Sequence, residues 1–182
     1  MLNVLQKVIQ QFKDGCLEQG CEMLLEADVC GWLFHLFLME PEIKPEQIHL
    51  DTRVCNAEGR FDIAIGPFQT GAKGRPCIKP QIVVEVKIFP RIGFTDQQHR
   101  VHYEHVLDDD LRKLGELPTT IGLRAALIVD GRGYLKGNYE NRNRKEFMIE
   151  RRNRIASGVN LFIIHLADGH WHIERHPAIT SV

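Results

Sequence analysis

Between Pro80 and Pro90 the chain reads Gln81-Ile82-Val83-Val84-Glu85-Val86-Lys87-Ile88-Phe89, apolar and β-branched almost throughout. That run predicts a strand buried on both faces at the centre of a sheet. The segments around it alternate between two periods. Val4, Val8, Ile9 and Phe12 fall on one stripe of a helix over residues 3–13, closed by Asp14-Gly15. A longer helix is expected over 17–39, stopping before Pro41, with Met23, Val29, Cys30, Leu33 and Phe37 on its apolar face. Residues 48–54 and 60–65 alternate as strands, and Asn56-Ala57-Glu58-Gly59 between them reads as the turn of a hairpin. On the second of these strands Phe61, Ile63 and Ile65 share one face, and Asp62 lies opposite with Arg60 and Ala64.

After a Gly- and Pro-containing connection over 66–80 and the central strand, a loop leads to a helix over 97–114. A buried strand over 124–130, a basic helix over 139–156 and a strand over 160–166 follow. Asp168-Gly169 then turns the chain into a last strand over 170–175. The order α-α-β-β-β-α-β-α-β-β describes an α/β fold, a central mixed sheet flanked by helices, in one domain over 1–182.

Charge changes this picture little. Among 182 residues, 23 Lys and Arg face 24 Asp and Glu, a net charge of −1. No global basic field exists, so any contact with a polyanion has to be local. Cys16, Cys21, Cys30, Cys55 and Cys77 contain no CxxC pair, which argues against a disulfide framework or zinc knuckle and makes reduced, cytosolic thiols the expectation. No signal peptide and no uncharged apolar run of membrane length is read, so the expected location is the cytoplasm, with no membrane partner.

A few charges stand where burial is predicted. Glu85 and Lys87 interrupt the central strand and point the same way, about 7 Å apart along it. Burying both without compensation is costly, because each ion loses its hydration. Glu26 sits within the apolar stripe of the second helix, and Asp62 lies on a strand next to the central one. Two carboxylates at a sheet centre supply oxygen ligands for a hard cation, Mg²⁺ or Mn²⁺. Such a cation polarises a phosphoryl oxygen and acidifies its water, and a neighbouring lysine can orient that water, assist proton transfer or balance developing charge. Taken alone, Val-Glu-Val-Lys is also the ordinary alternation of a half-exposed strand, and Glu26 reads equally as a rim residue or the partner of a buried arginine.

Asp62 within Arg60-Phe61-Asp62-Ile63, followed by Glu85-Val86-Lys87, resembles the PD-(D/E)XK nuclease superfamily, the restriction-endonuclease-like fold. Glu26 on a preceding helix and Asp110-Leu111-Arg112-Lys113-Leu114 on a following one add to the likeness, which spans roughly residues 17–130. Phe61 stands where the proline that names the motif is expected. The resemblance implies that Asp62, Glu85 and the main-chain carbonyl of Val86 hold the metal. It further implies that Lys87 positions or activates the attacking water, and that Glu26 holds a second metal or a metal-bound water. The implied activity is a Mg²⁺-dependent deoxyribonuclease leaving a 5′-phosphate, with RNA not excluded as substrate and a homodimer left open. The rival readings are a catalytically silent nucleic-acid-binding or scaffold protein that keeps the fold, and a zinc hydrolase using the histidines.

Candidate phosphate contacts are Lys73 and Arg75 in the long connection, and a stripe of Arg144, Lys145, Arg151 and Arg152 on the basic helix, where seven-residue spacing aligns the charges. Gln98 and Tyr103 loosely match a glutamine and a tyrosine found in exonuclease branches of that superfamily. His99, His102 and His105 recur every three residues, a spacing compatible with metal ligation but more simply a polar helix face. His170 and His172 alternate with Trp171 as an exposed strand face.

Overall fold

The apolar run between the two prolines forms a strand, β5 (Ile82–Phe89), in which every residue is buried. The computed structural model describes residues 1–71, 74–90, 95, 97–98, 107–139 and 141–179. Two helices precede the sheet, α1 (Leu2–Phe12) and α2 (Glu26–Leu38). The hairpin strands are β1 (Ile48–Thr52) and β2 (Phe61–Ile65), and the short pair β3 (Phe68–Thr70) and β4 (Pro76–Ile78) follows. Beyond β5 come α3 (Leu107–Gly115), β6 (Leu123–Asp130), the short pair β7 (Asn138–Tyr139) and β8 (Arg142–Asn143), α4 (Arg144–Ile155), β9 (Asn160–Ala167) and β10 (His170–His176).

The main sheet has six strands in the order β1-β2-β5-β6-β9-β10. β5, β6 and β9 run parallel, and the outer neighbours pair antiparallel, so the sheet is mixed. This is the expected α/β class and is consistent with a nuclease-like core. Alternation along β5 divides the core. Ile82, Val84, Val86 and Ile88 pack with α1 and α2, whereas Val83 and Phe89 pack with α3 and α4. Glu85 and Lys87 belong by alternation to the α3 and α4 side.

Several elements differ from the sequence reading. The helix expected over 17–39 is two pieces: a π-turn (Lys13–Leu17) prolongs α1 past Asp14-Gly15, Gly20 turns the chain with φ 81°, and α2 starts at Glu26. The Asp28 carboxylate fixes that start by accepting the N–H groups of Leu24 and Leu25, satisfying donors that a helix N-terminus leaves open. Met23 therefore lies before the helix rather than on it. The basic helix begins at Arg144, not at 139, because the Asn143 side chain accepts the N–H groups of Lys145 and Glu146 as an N-cap. Phe61 does not share a face with Ile63 and Ile65; it packs in the other core layer, against the side of the sheet that carries α3. The connection over 66–80 contains the β3–β4 hairpin. There Cys55 and Cys77 form a disulfide, which corrects the expectation of reduced thiols throughout. Their wide separation in sequence hid the pairing; antiparallel β3–β4 and the bridge of Val54 to Ile78 bring them together.

α3 is held close to the sheet and to α4. The Arg124 guanidinium on β6 donates to the carbonyls of Gly115 and Leu117, and Gly115 itself abuts α4, where an added Cβ would stand 2.7 Å from the Ile155 carbonyl oxygen. Gly115→Ala is expected to push the two helices apart and destabilise the protein by about 1–3 kcal/mol, the usual cost of overpacking. Urea unfolding of the variant measures this, and an unchanged midpoint would show that the contact relaxes freely.

Candidate active site

The ladder between β2 and β5 runs through Ile65↔Ile82, Ala64↔Val83 and Ile63↔Val84, where it stops. One residue further, the strands part and a side chain takes over from the backbone: Asp62 Oδ2 accepts the Val86 N–H at 2.7 Å. The gap leaves the Asp62 carboxyl against that of Glu85, where its charge disfavours ionisation of Glu85. The expected adjacency of the two strands is therefore present, and so is the convergence of their acids.

Glu85 is only 4% exposed and Lys87 only 5%. Burial chiefly, then the charge of Asp62, their shared hydrogen bond and the charge of Asp110, push the Glu85 carboxyl up to about 9, against the lowering pull of Lys113. Lys87 is balanced by acids from both sides of the sheet. Its ammonium lies 2.8 Å from Glu26 Oε1 on α2 and 2.9 Å from Asp110 Oδ2 on α3. Burial alone would lower the Lys87 pKa, but the two carboxylates outweigh it and raise it to about 12. Lys87 is therefore a standing cation and donor, not a free base at neutral pH. Its amine lies between helices that approach from opposite layers.

Two residues complete the cluster that the sequence reading had not assigned. Asp110 joins Lys87 from α3, and Lys113, one turn later, places its ammonium 2.5 Å from Glu85 Oε1 and donates to the Arg60 carbonyl at 2.7 Å. The same ammonium stands 3.6 Å from Asp110 Oδ1, and its stem crosses the Phe61 ring with the nitrogen 4.8 Å from the centroid. The available signal was the i, i+3 spacing of Asp110 and Lys113 within a helix already linked to the site. That spacing predicts a shared face but not what the face meets.

Among the described residues, no group of three or more His, Cys, Asp or Glu side chains is gathered as a metal cage. Mg²⁺ does not require one: it keeps several waters and commonly binds through one or two carboxylates together with substrate phosphates. Half-buried Asp62 and buried Glu85 fit that donor set, and the main-chain carbonyl of Val86 is the third expected ligand. The fit requires the Lys113 ammonium to yield its place on Glu85.

The basic stripe on α4 is largely engaged within the molecule. Arg152 is buried and donates to the Val159 and Pro177 carbonyls, which corrects its reading as an open phosphate ligand. Arg144 donates to the Tyr134 carbonyl and stacks on that ring at 3.9 Å. Arg151 pairs with Asp108, and Lys145 lies 2.7 Å from Glu174 Oε1. Arg75 is exposed. Lys73, His99, His102, Tyr103 and His105 lie outside the described residues. Gln98 accepts from the N–H and hydroxyl of Thr95 through its side-chain oxygen.

No protein-family model matches the chain, and no curated protein matches it in sequence. Among solved structures, SfsA of Pyrococcus furiosus, determined in complex with Ca²⁺, is similar over 83% of this chain at 16% identity, with a TM-score of 0.26. The matched region spans 63% of that protein's length. Likeness at this level carries no argument about the site.

The raised pKa of Glu85 bears on stability. Glu85 holds its proton more tightly when folded than its ordinary value of 4.5 allows, so stability is full below that value and is lost as pH rises toward 9. The metal-free protein should melt at progressively lower temperature between pH 5 and pH 9, and Glu85→Gln should flatten that slope. Melting curves across this window decide the matter; a slope unchanged by Glu85→Gln would mean that another group controls it.

Proposed function

We propose that the protein is a metal-dependent nuclease hydrolysing the phosphodiester bonds of DNA, with Mg²⁺ or Mn²⁺ held by Asp62, Glu85 and the carbonyl of Val86. The observation that carries this reading is the carboxyl of half-buried Asp62 set against that of buried Glu85, beside the enclosed ammonium of Lys87. When bound there, a divalent ion would polarise a phosphoryl oxygen and acidify a water. The chain's own residues do the rest. Asp62 and Glu85 would hold the ion through their carboxylate oxygens, Glu85 giving up its proton to water on binding. Lys87 remains charged, orients the attacking water and balances the charge that develops on the phosphate. Glu26 keeps the Lys87 ammonium in place and would hold a second metal or a metal-bound water.

Phosphate contacts would come from Arg75 and Lys73 on the long connection. Lys145 and Arg151 would add to them only by exchanging their present acidic partners for phosphate. Arg144 and Arg152 support α4 instead. The product would carry a 5′-phosphate, RNA is the second substrate class, and a homodimer would let two sites cut both strands. The protein would act in the cytoplasm; no helix among the described residues is long and apolar enough to cross a membrane.

One observation favours the silent, binding-only reading. The ammonium of Lys113 already occupies the contact distance to Glu85 Oε1, 2.5 Å, that a metal ligand would need. Activity decides between the two. Asp62→Ala, Glu85→Ala and Lys87→Ala should each lower cleavage of DNA by about 10²-fold or more while the protein stays folded. Cleavage should need Mg²⁺ or Mn²⁺ and stop with EDTA. Full activity in Glu85→Ala rejects the assignment, and binding without hydrolysis under either metal selects the silent reading.

A further inference from the structure

Lys113 and Lys87 both reach the acids of the site, yet they are held differently. Lys87 is enclosed, on the central strand, between Glu26 and Asp110. Lys113 comes from α3 and is about a quarter exposed. Its ammonium is ringed by oxygen: Glu85 Oε1 at 2.5 Å, the Arg60 carbonyl at 2.7 Å and Asp110 Oδ1 at 3.6 Å. A carboxylate, a main-chain carbonyl and a further carboxylate form the donor set a hard cation would choose. The long stem over Phe61 gives the amine an outward route, since the methylenes can stay on the ring while the charged end swings toward water.

We propose that Lys113 is a placeholder cation: its ammonium occupies the oxygen cluster at Glu85 in the resting protein and is displaced when a divalent ion arrives. This rests on the nuclease reading's metal site but assigns a role that the reading does not need. Asp110 is the positioning residue of the exchange. Its two oxygens face the two amines, Oδ2 toward Lys87 and Oδ1 toward Lys113, so the departing Lys113 leaves a carboxylate still anchored by Lys87. Divalent affinity is then set by competition with an internal amine, and the site stays compensated at low metal concentration.

The test is Mn²⁺ binding, followed by the loss of the free-ion paramagnetic resonance signal, without substrate or turnover. Lys113→Met keeps the aliphatic stem over Phe61 and removes the charge. It should bind Mn²⁺ about tenfold or more tightly than the unaltered protein, as expected for a unit charge removed at contact distance. Lys113→Gln, which retains a donor for the Arg60 carbonyl, should shift affinity in the same direction. Arg112→Met removes one charge from the solvent side of the same helix, where Arg112 pairs with Asp109 at 3.4 Å, and should change affinity by less than about threefold because exposed charges are screened. General damage to α3 would weaken binding, so tightening cannot arise from misfolding. Equal or weaker binding by both Lys113 variants overturns the placeholder role and leaves the nuclease reading standing. Absence of Mn²⁺ binding in every variant rejects both.

Discussion

A carboxyl group and an ammonium on the middle strand of a sheet, each nearly cut off from water, must be compensated locally. Everything distinctive about this molecule follows from how that is done. β2 stops pairing with β5 one residue before Asp62, and the Asp62 carboxylate takes the Val86 N–H in place of a backbone carbonyl. The same parting of strands gives Glu85 an acidic neighbour, and Glu26, from the opposite layer, reaches Lys87. α3 then closes the cluster with Asp110 and Lys113.

The helices flanking the sheet act as electrostatic supports as well as hydrophobic cover. α2 buries Val29, Leu33 and Phe37, and that anchor carries Glu26 at its first residue. α3 buries Leu107, Leu111 and Leu114 on one side, and the turn from Asp110 to Lys113 faces the acids. A shift of either helix would leave charge on β5 without its partner. The close contact of Gly115 with α4 and the Arg124 bonds to the end of α3 therefore bear on the site, although neither touches it.

Much of this was legible in the sequence because it depends on periodicity. The prolines and branched residues around 82–89 marked the central strand. Alternation placed Glu85 and Lys87 on one side, and the short-loop hairpin brought Asp62 to the neighbouring strand. What escaped depends on long-range contact. Phe61, at the end of β2, packs in the other core layer, where strict alternation had put it beside Ile63. Cys55 and Cys77 come together only because β3 and β4 fold back. Arginines that align every seven residues on α4 looked like an open cationic face, yet Arg152 and Arg144 spend their donors on carbonyls that no spacing rule could foresee. Lys113 was visible as a residue of α3, but its role required knowing that its end lies on Glu85.

The central claim is that the Asp62–Glu85 pair is a seat for a divalent ion, approached in the metal-free protein by the amine of Lys113. A crystal structure of the Mn²⁺-soaked protein, with anomalous scattering to locate the metal, tests it most directly. The account predicts a peak bridging the carboxylates of Asp62 and Glu85, with the Lys113 ammonium withdrawn from Glu85 and Lys87 still between Glu26 and Asp110. An empty pair with Lys113 unmoved at saturating Mn²⁺ would contradict it.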